Sequence, residues 1–184
     1  MGGGLDATIL RSELDEMEMT IHHVRSFLQC HQPMPPDSAV MPADIEELDR
    51  VRRFLTEQPN DEALELLLGV FGEGSGFGIY QLIENAVAAH DRGVVVTALA
   101  RKLERGPRSV RYWCAQIAAT YPDDRLIEPL SIGLAPGDHD LRWATVTALA
   151  AINAKPAKDI LQRWLPQETD AELRSIIEEA CIRI

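Results

Sequence analysis

Residues 79–90 (IYQLIENAVAAH), 110–121 (VRYWCAQIAATY) and 141–152 (LRWATVTALAAI) align at a step of 31 residues, and 173–184 (LRSIIEEACIRI) follow after 32. A repeat of this length means that one supersecondary unit is copied along the chain, each copy too small to bury its apolar face without its neighbours. Within each segment the mostly apolar positions fall at i, i+3, i+4, i+7, i+8 and i+11, the stripe of an amphipathic helix. Three columns carry it: Ile79, Val110, Leu141 and Leu173; Leu82, Trp113, Ala144 and Ile176; Ala86, Ile117, Ala148 and Ala180. The first three segments are each followed by a second helical pattern, at 95–103, 126–134 and 157–165. There Leu99, Leu130 and Leu161 share one column, and Leu103, Leu134 and Leu165 another. Breakers separate the patterns: Gly106-Pro107, Pro122-Asp123-Asp124, Pro136-Gly137-Asp138 and Lys155-Pro156. Asp123 and Asp138 suit N-cap or first-turn positions, and Pro156 suits a first helical turn. The pattern predicts an all-α protein whose repeats form a right-handed α-solenoid of helical hairpins.

The N-terminal half lacks the repeat but is also helical in pattern. Leu10, Leu14, Met17, Ile21, Val24 and Leu28 step by alternating fours and threes, a heptad seam too short for an independent coiled coil and better suited to packing on its own chain. Residues 31–43 (HQPMPPDSAVMPA) hold four prolines and read as a linker. Ile45, Leu48, Val51 or Arg52, and Leu55 give a further helix, ended by Gln58-Pro59; 61–71 gives another through Leu64, Leu67, Leu68 and Phe71. The 184 residues suit one domain. Its expected parts are an acidic N-terminal helical cap and linker (1–74) and the repeats (75–184). A solenoid needs end units with a polar outer face, which the acidic helices would supply. At the other end the last helix has no second helix after it, so its spare face either tolerates water or is covered by something that docks there.

Net charge is −11 and the pI is near 4.9, which argues against nucleic-acid binding. The excess is one-sided: 16 acidic against 5 basic residues in 1–90, and 13 of each in 91–184. It clusters at Glu13, Asp15, Glu16 and Glu18, at Asp44, Glu46, Glu47 and Asp49, and at Asp61, Glu62 and Glu65. Two readings stand open: solvated helix faces and N-termini that complement the macrodipole, or an electronegative surface that steers a basic partner. Three cysteines without a CxxC pair argue against a disulfide framework or zinc ribbon. No apolar run approaches the roughly 18 residues of a membrane span. The first residues lack the basic and apolar regions of a signal peptide, and Asp6 departs from the myristoylation pattern. A cytoplasmic protein with no membrane partner is expected.

The segments 109–115 (SVRYWCA), 140–144 (DLRWA) and 172–176 (ELRSI) each run from a polar or acidic residue through an apolar one to Arg. In this they resemble the HEAT-like repeat of the phycobilisome-lyase type, over roughly residues 75–184. The first unit departs from it, with Tyr80 in the place of Arg, and the last lacks its second helix. The resemblance implies a scaffold of stacked hairpins. It leaves function wide, because HEAT-like proteins include lyases, hydroxylases, chaperones and adaptors.

Candidate chemistry is sparse. The run GEGSGFG (72–78) is flanked by helices rather than by the strand of a dinucleotide loop and lacks the Lys-Ser/Thr of a P-loop, so a flexible connector is expected. His23, Cys30 and His31 are seven and eight residues apart on one helix, about 10–12 Å along its axis, too far to share a metal with bonds of about 2.0–2.3 Å. His90-Asp91 and His139-Asp140 differ from the His-Glu pairs of HEAT-like di-iron hydroxylases and fall at different places in the repeat; His90 shares the column of Tyr121 and Ile152 and reads as packed. Cys114 and Cys181 fall on apolar columns and read as small buried hydrophobes. No triad, carboxylate pair or HExxH arrangement with suitable spacing stands out. Arg111, Arg142 and Arg174 recur once per unit, as expected of a ladder bonded to neighbouring loops. Beside them, Tyr112 and Trp143 share a column with Gln81 and Ser175. That mix implies a rim position, where the pair either packs on an adjacent helix or forms a binding hot spot.

What remains for function is surface. The expectation is a non-catalytic protein–protein interaction module without cofactor or metal, monomeric or weakly dimeric. Its sharper form is a cognate inhibitor, an immunity protein, that binds a basic partner such as a bacterial toxin. The candidate partner-binding residues are Glu46, Glu47, Asp49, Asp61, Glu62, Tyr112 and Trp143. The alternatives are a HEAT-like lyase or lyase chaperone for a prosthetic group, which would carry an apolar groove and colour, and a scaffold subunit of a larger assembly.

Overall fold

The computed structural model describes residues 19–182 and places ten α-helices and no strand among them. Helix α1 (Ile21–Cys30) begins where the Thr20 hydroxyl accepts the His23 amide, and buries Val24 and Leu28. Helix α2 (Pro42–Glu57) starts on a proline, which gives up an amide that has no intrahelical partner at that position, and buries Leu48, Val51 and Leu55. Asn60 caps α3 (Asp61–Leu67), its side-chain oxygen accepting the Ala63 amide at 3.0 Å. The heptad seam is described from Ile21 onward; Leu10, Leu14, Met17 and the cluster Glu13–Glu18 lie outside the described residues.

The repeats follow as α4 (Ile79–Ala88), α5 (Arg92–Arg105), α6 (Arg108–Ala118), α7 (Ile127–Ser131), α8 (His139–Ala151), α9 (Lys155–Trp164) and α10 (Ala171–Ile182). Gly106-Pro107 separates α5 from α6, Asp138 caps α8 through the Leu141 amide, and Asp170 caps α10 through the Glu172 and Leu173 amides. Helix α7 is shorter than its pattern of 126–134: the chain enters it through a 3₁₀ turn, Asp124–Leu126, and leaves it through tight turns in which the Gly133 and Leu134 amides donate to the Leu130 and Ser131 carbonyls.

Packing relates alternate helices. α1, α3, α5, α7 and α9 each touch the next of that set; α2 touches α4, and α6 touches α8, which touches α10. Helices α1–α3 of the N-terminal part thus follow the same alternation of contacts as the helices after them. Between α4 and α6 the contact passes through an aromatic cluster: Tyr80 meets Phe71 and Trp113 edge-on at 5.4 and 5.6 Å, and Phe71 stacks on Trp113 at 5.7 Å. Buried side chains from Val24 to Ala180 form one continuous cluster.

The glycine run is held in place, which corrects the expectation of a flexible connector. Gly74, Gly76 and Gly78 have positive φ, a conformation open to glycine, and Phe77 joins them at 51°. The Asp37 carboxylate accepts the Ser75 and Gly76 amides at 2.9 Å each. The Gly72 amide donates to the Tyr80 hydroxyl, the Trp113 indole to the Gly74 carbonyl, and the Ser109 hydroxyl to the Phe71 carbonyl. The proline-rich segment lies along it through the Met34 and Asp37 amides, which donate to the Val70 and Glu73 carbonyls.

Candidate binding groove

On α6, Tyr112, Gln116 and Ala119 recur at i, i+4 and i+7; on α8, His139, Trp143 and Thr147 recur at i, i+4 and i+8. Each set lines one helix face. The two faces meet across an open groove of about 400 Å³, completed by Asp140 and Ala144. Small residues at Ala119 and Ala144 leave the space that the rings border. Tyr112 and Trp143 are both half-buried and packed against the core, as the packing reading expects, with part of each ring left to the groove. Tyr112 also stands edge-on to Trp113 at 5.4 Å.

The groove's rim is ionic. Arg108 grips Asp138 with two hydrogen bonds, Nε to Oδ2 at 2.7 Å and Nη2 to Oδ1 at 2.8 Å, reaches Glu73 at 3.4 Å, and lies over the Tyr112 ring at 5.6 Å. Bonding to Arg108 holds the Asp138 carboxyl below its ordinary range against some desolvation, and the guanidinium is held charged in return. Asp140, with a side chain 68 % exposed, lies 3.6 Å from Arg108. His139 is 3.2 Å from Asp170 and 5.9 Å from the Trp143 ring. One contact is thereby used twice: the first residue of α6 reaches the cap of α8, and the first residue of α8 reaches the cap of α10. The sequence reading missed this, although Asp138 was a candidate cap; the signal available was a polar first residue spaced 30 or 31 from a capping Asp.

The arginine column is only partly internal, with Arg111 and Arg174 half-buried. Arg142 is buried and donates Nε to Glu168 Oε2 at 2.8 Å, and Arg174 donates to the Leu165 and Glu168 carbonyls. Arg111 lies near enough to Asp138 to lower its pKa, but its buried Nε has no hydrogen-bond partner. Tyr80, in the column's first place, is buried and anchors the glycine run instead.

The acidic candidates do not gather at this groove. Glu47 binds His23 and Arg50, Asp49 contacts Arg52 and Arg53, and Glu62 pairs with Arg25. Glu46 and Asp61 are exposed with no ion pair among the described residues. Asp61 and Glu62 line a different groove, between α3 and α5, with Glu65 and Arg101. Elsewhere His31 donates from Nδ1 to the Phe27 carbonyl, Cys30 is exposed and His90 is buried, donating from Nδ1 to the Ala86 carbonyl. Burial pushes the Cys114 thiol up to about 12, leaving it without nucleophilic thiolate, and Cys181 is half-buried. No described helix is long and apolar enough to cross a membrane. Compared with known proteins, the chain matches no family model and no curated protein.

Proposed function

We propose that this chain is a non-catalytic protein-binding module, a right-handed α-solenoid of HEAT-like hairpins, whose α6–α8 groove receives a basic partner. The observation that carries the reading is the pair Tyr112 and Trp143, half-buried along a groove of about 400 Å³ with the exposed Asp140 carboxylate at its rim. Tyr and Trp lose little side-chain entropy on binding and dominate contact energies when water is excluded around them. The alternating helix contacts favour the stacked-hairpin reading, which would present such a groove on an extended surface. In its sharper form the protein is a cytoplasmic, single-domain cognate inhibitor, an immunity protein for a basic enzyme such as a bacterial toxin, acting as a monomer or weak dimer. With Glu47, Asp49 and Glu62 already engaged by this chain's own cations, the acidic half contributes long-range steering more than contact.

Affinity capture from the native host tests it, with Trp143→Ala, Tyr112→Ala and the triple reversal Glu46→Lys, Glu47→Lys, Asp49→Lys. Trp143→Ala is expected to weaken capture by about 30-fold, the effect of roughly 2 kcal/mol at a hot spot. The triple reversal should slow association and leave dissociation nearly unchanged. A basic partner retained by both aromatic variants would overturn the groove, and a coloured preparation would favour the prosthetic-group lyase instead.

A further inference from the structure

The chain's net charge is −11, yet one cavity is basic. A pocket of about 220 Å³ is lined by Arg101, Lys102 and Arg105 from the end of α5, with Gln32, Glu65 and Gly69 opposite. Its three cations face one carboxylate, and that one is engaged: Arg101 donates to Glu65 at 2.8 Å. Lys102 is half-buried and meets no carboxylate; among the described residues its ammonium has the Gln32 Oε1 at 3.4 Å, a long and neutral contact. Arg105 is exposed and carries no ion pair among the described residues.

The geometry around Lys102 is specific. Both amide hydrogens of Gln32 are used, on the Leu28 carbonyl at 2.8 Å and the Leu66 carbonyl at 2.6 Å, which fixes its oxygen towards the ammonium. Gly69 makes room for the pair: a Cβ there would stand 1.9 Å from Gln32 Oε1 and 2.8 Å from Lys102 Nζ. Basic residues in a helix's last turn complement its dipole, which accounts for the sign of Lys102 and Arg105. It does not account for three cations lining a cavity with a single, committed carboxylate. The Lys102 stem is half-buried while its contact with the neutral Gln32 oxygen is exposed, so the ammonium is open to an anionic ligand.

We propose that this pocket binds a phosphate group, with Lys102 and Arg105 as its principal ligands and Gln32 holding Lys102 in position. The excess of two positive charges over Glu65 matches a phosphate dianion, and a guanidinium beside an ammonium is a common pairing for phosphate oxygens. The site is separate from the α6–α8 groove and independent of the partner proposed there.

The test is a titration of the isotope-labelled full chain followed by its amide NMR spectrum, at fixed ionic strength so that screening stays constant. Inorganic phosphate and phosphoserine are the probes, and acetate is the carboxylate comparison. Saturable shifts at Gly69 and Gly106 are expected with phosphate. Lys102→Gln and Arg105→Gln should each weaken binding at least fivefold, and Glu65→Gln should strengthen it. Tighter binding of phosphoserine than of phosphate would assign the site to a phosphate monoester. Linear drift without saturation, acetate binding as tightly as phosphate, or saturation unchanged in both cation variants would overturn the proposal. Glu65→Gln guards against a folding artefact, because a gain in affinity cannot come from a damaged fold.

Discussion

Glu168 receives four hydrogen bonds on two oxygens: Arg142 and the Trp164 indole on Oε2, the Thr169 and Asp170 amides on Oε1. Burial alone would raise its pKa. The indole, the Asp170 amide and Arg142 outweigh that and hold it below its ordinary value of 4.5. A carboxylate whose folded pKa is depressed stabilises the fold above the unfolded value, and that contribution is lost as pH falls through the folded one. Urea unfolding between pH 7 and pH 3 should therefore show stability declining below about pH 5. Glu168→Gln should start about 3–5 kcal/mol lower at neutral pH, because it leaves the buried Arg142 without its counter-charge. Its decline towards acid should be shallower. An unchanged slope would mean that the charge on Glu168 is immaterial and its packing is what matters. Tyr80 offers a smaller, separate case. Tyr80→Phe keeps the ring on Phe71 and Trp113 but strips the Gly72 amide of its acceptor, a cost of about 1–3 kcal/mol readable in the same assay.

Individual helices explain which features could be read in advance. The period of 31 located α6 and α8 to within a few residues of their observed spans, because an apolar stripe of period 3.6 is the direct cause of the burial that stabilises them. Helix α4 is turned relative to the aligned pattern: Leu82, placed in the apolar column, is 41 % exposed, whereas Tyr80 is 1 % exposed. The cause is non-local, since the Tyr80 ring packs on Trp113 of another helix and its hydroxyl on the glycine run. Tyr112 and Trp143 were legible as a rim column because their polar column-mates marked the boundary of burial. The ionic rim was not, since Arg108 and Asp138 meet only when successive units are docked. Nor does the sum of charges along a segment say which carboxylates already hold a cation, and so Glu47, Asp49 and Glu62 look freer in sequence than they are. The Arg108–Asp138 link should couple α6 to α8 measurably. A double-mutant cycle with Arg108→Ala and Asp138→Asn, which leaves a capping side chain in place, should give an interaction energy of about 1–2 kcal/mol at low salt. Chemical unfolding of the four proteins measures it, and strict additivity would reduce the bidentate pair to a surface contact.

At the scale of the molecule, the pattern of helix neighbours decides how a local defect spreads. Helix α5 touches α3, α6 and α7, whereas α10 touches α8 and α9 at the end of the series. In a stack whose stability is a sum of unit and nearest-neighbour terms, a defect at the end unravels the end, and a defect in the middle weakens both sides. Leu99 in α5 and Ile177 in α10 are both fully buried, so truncating either to Ala removes comparable apolar contact, about 2–5 kcal/mol each. Hydrogen exchange should nevertheless tell them apart. Ile177→Ala is expected to accelerate exchange in α9 and α10 and leave α1–α5 at their original protection, while Leu99→Ala should lower protection from α3 to α8. Were Ile177→Ala to lower protection evenly through α1, the continuous core from Val24 to Ala180 would be acting as one cooperative body. The stacked-hairpin reading, in which each unit answers chiefly to its neighbours, would then lose its physical content.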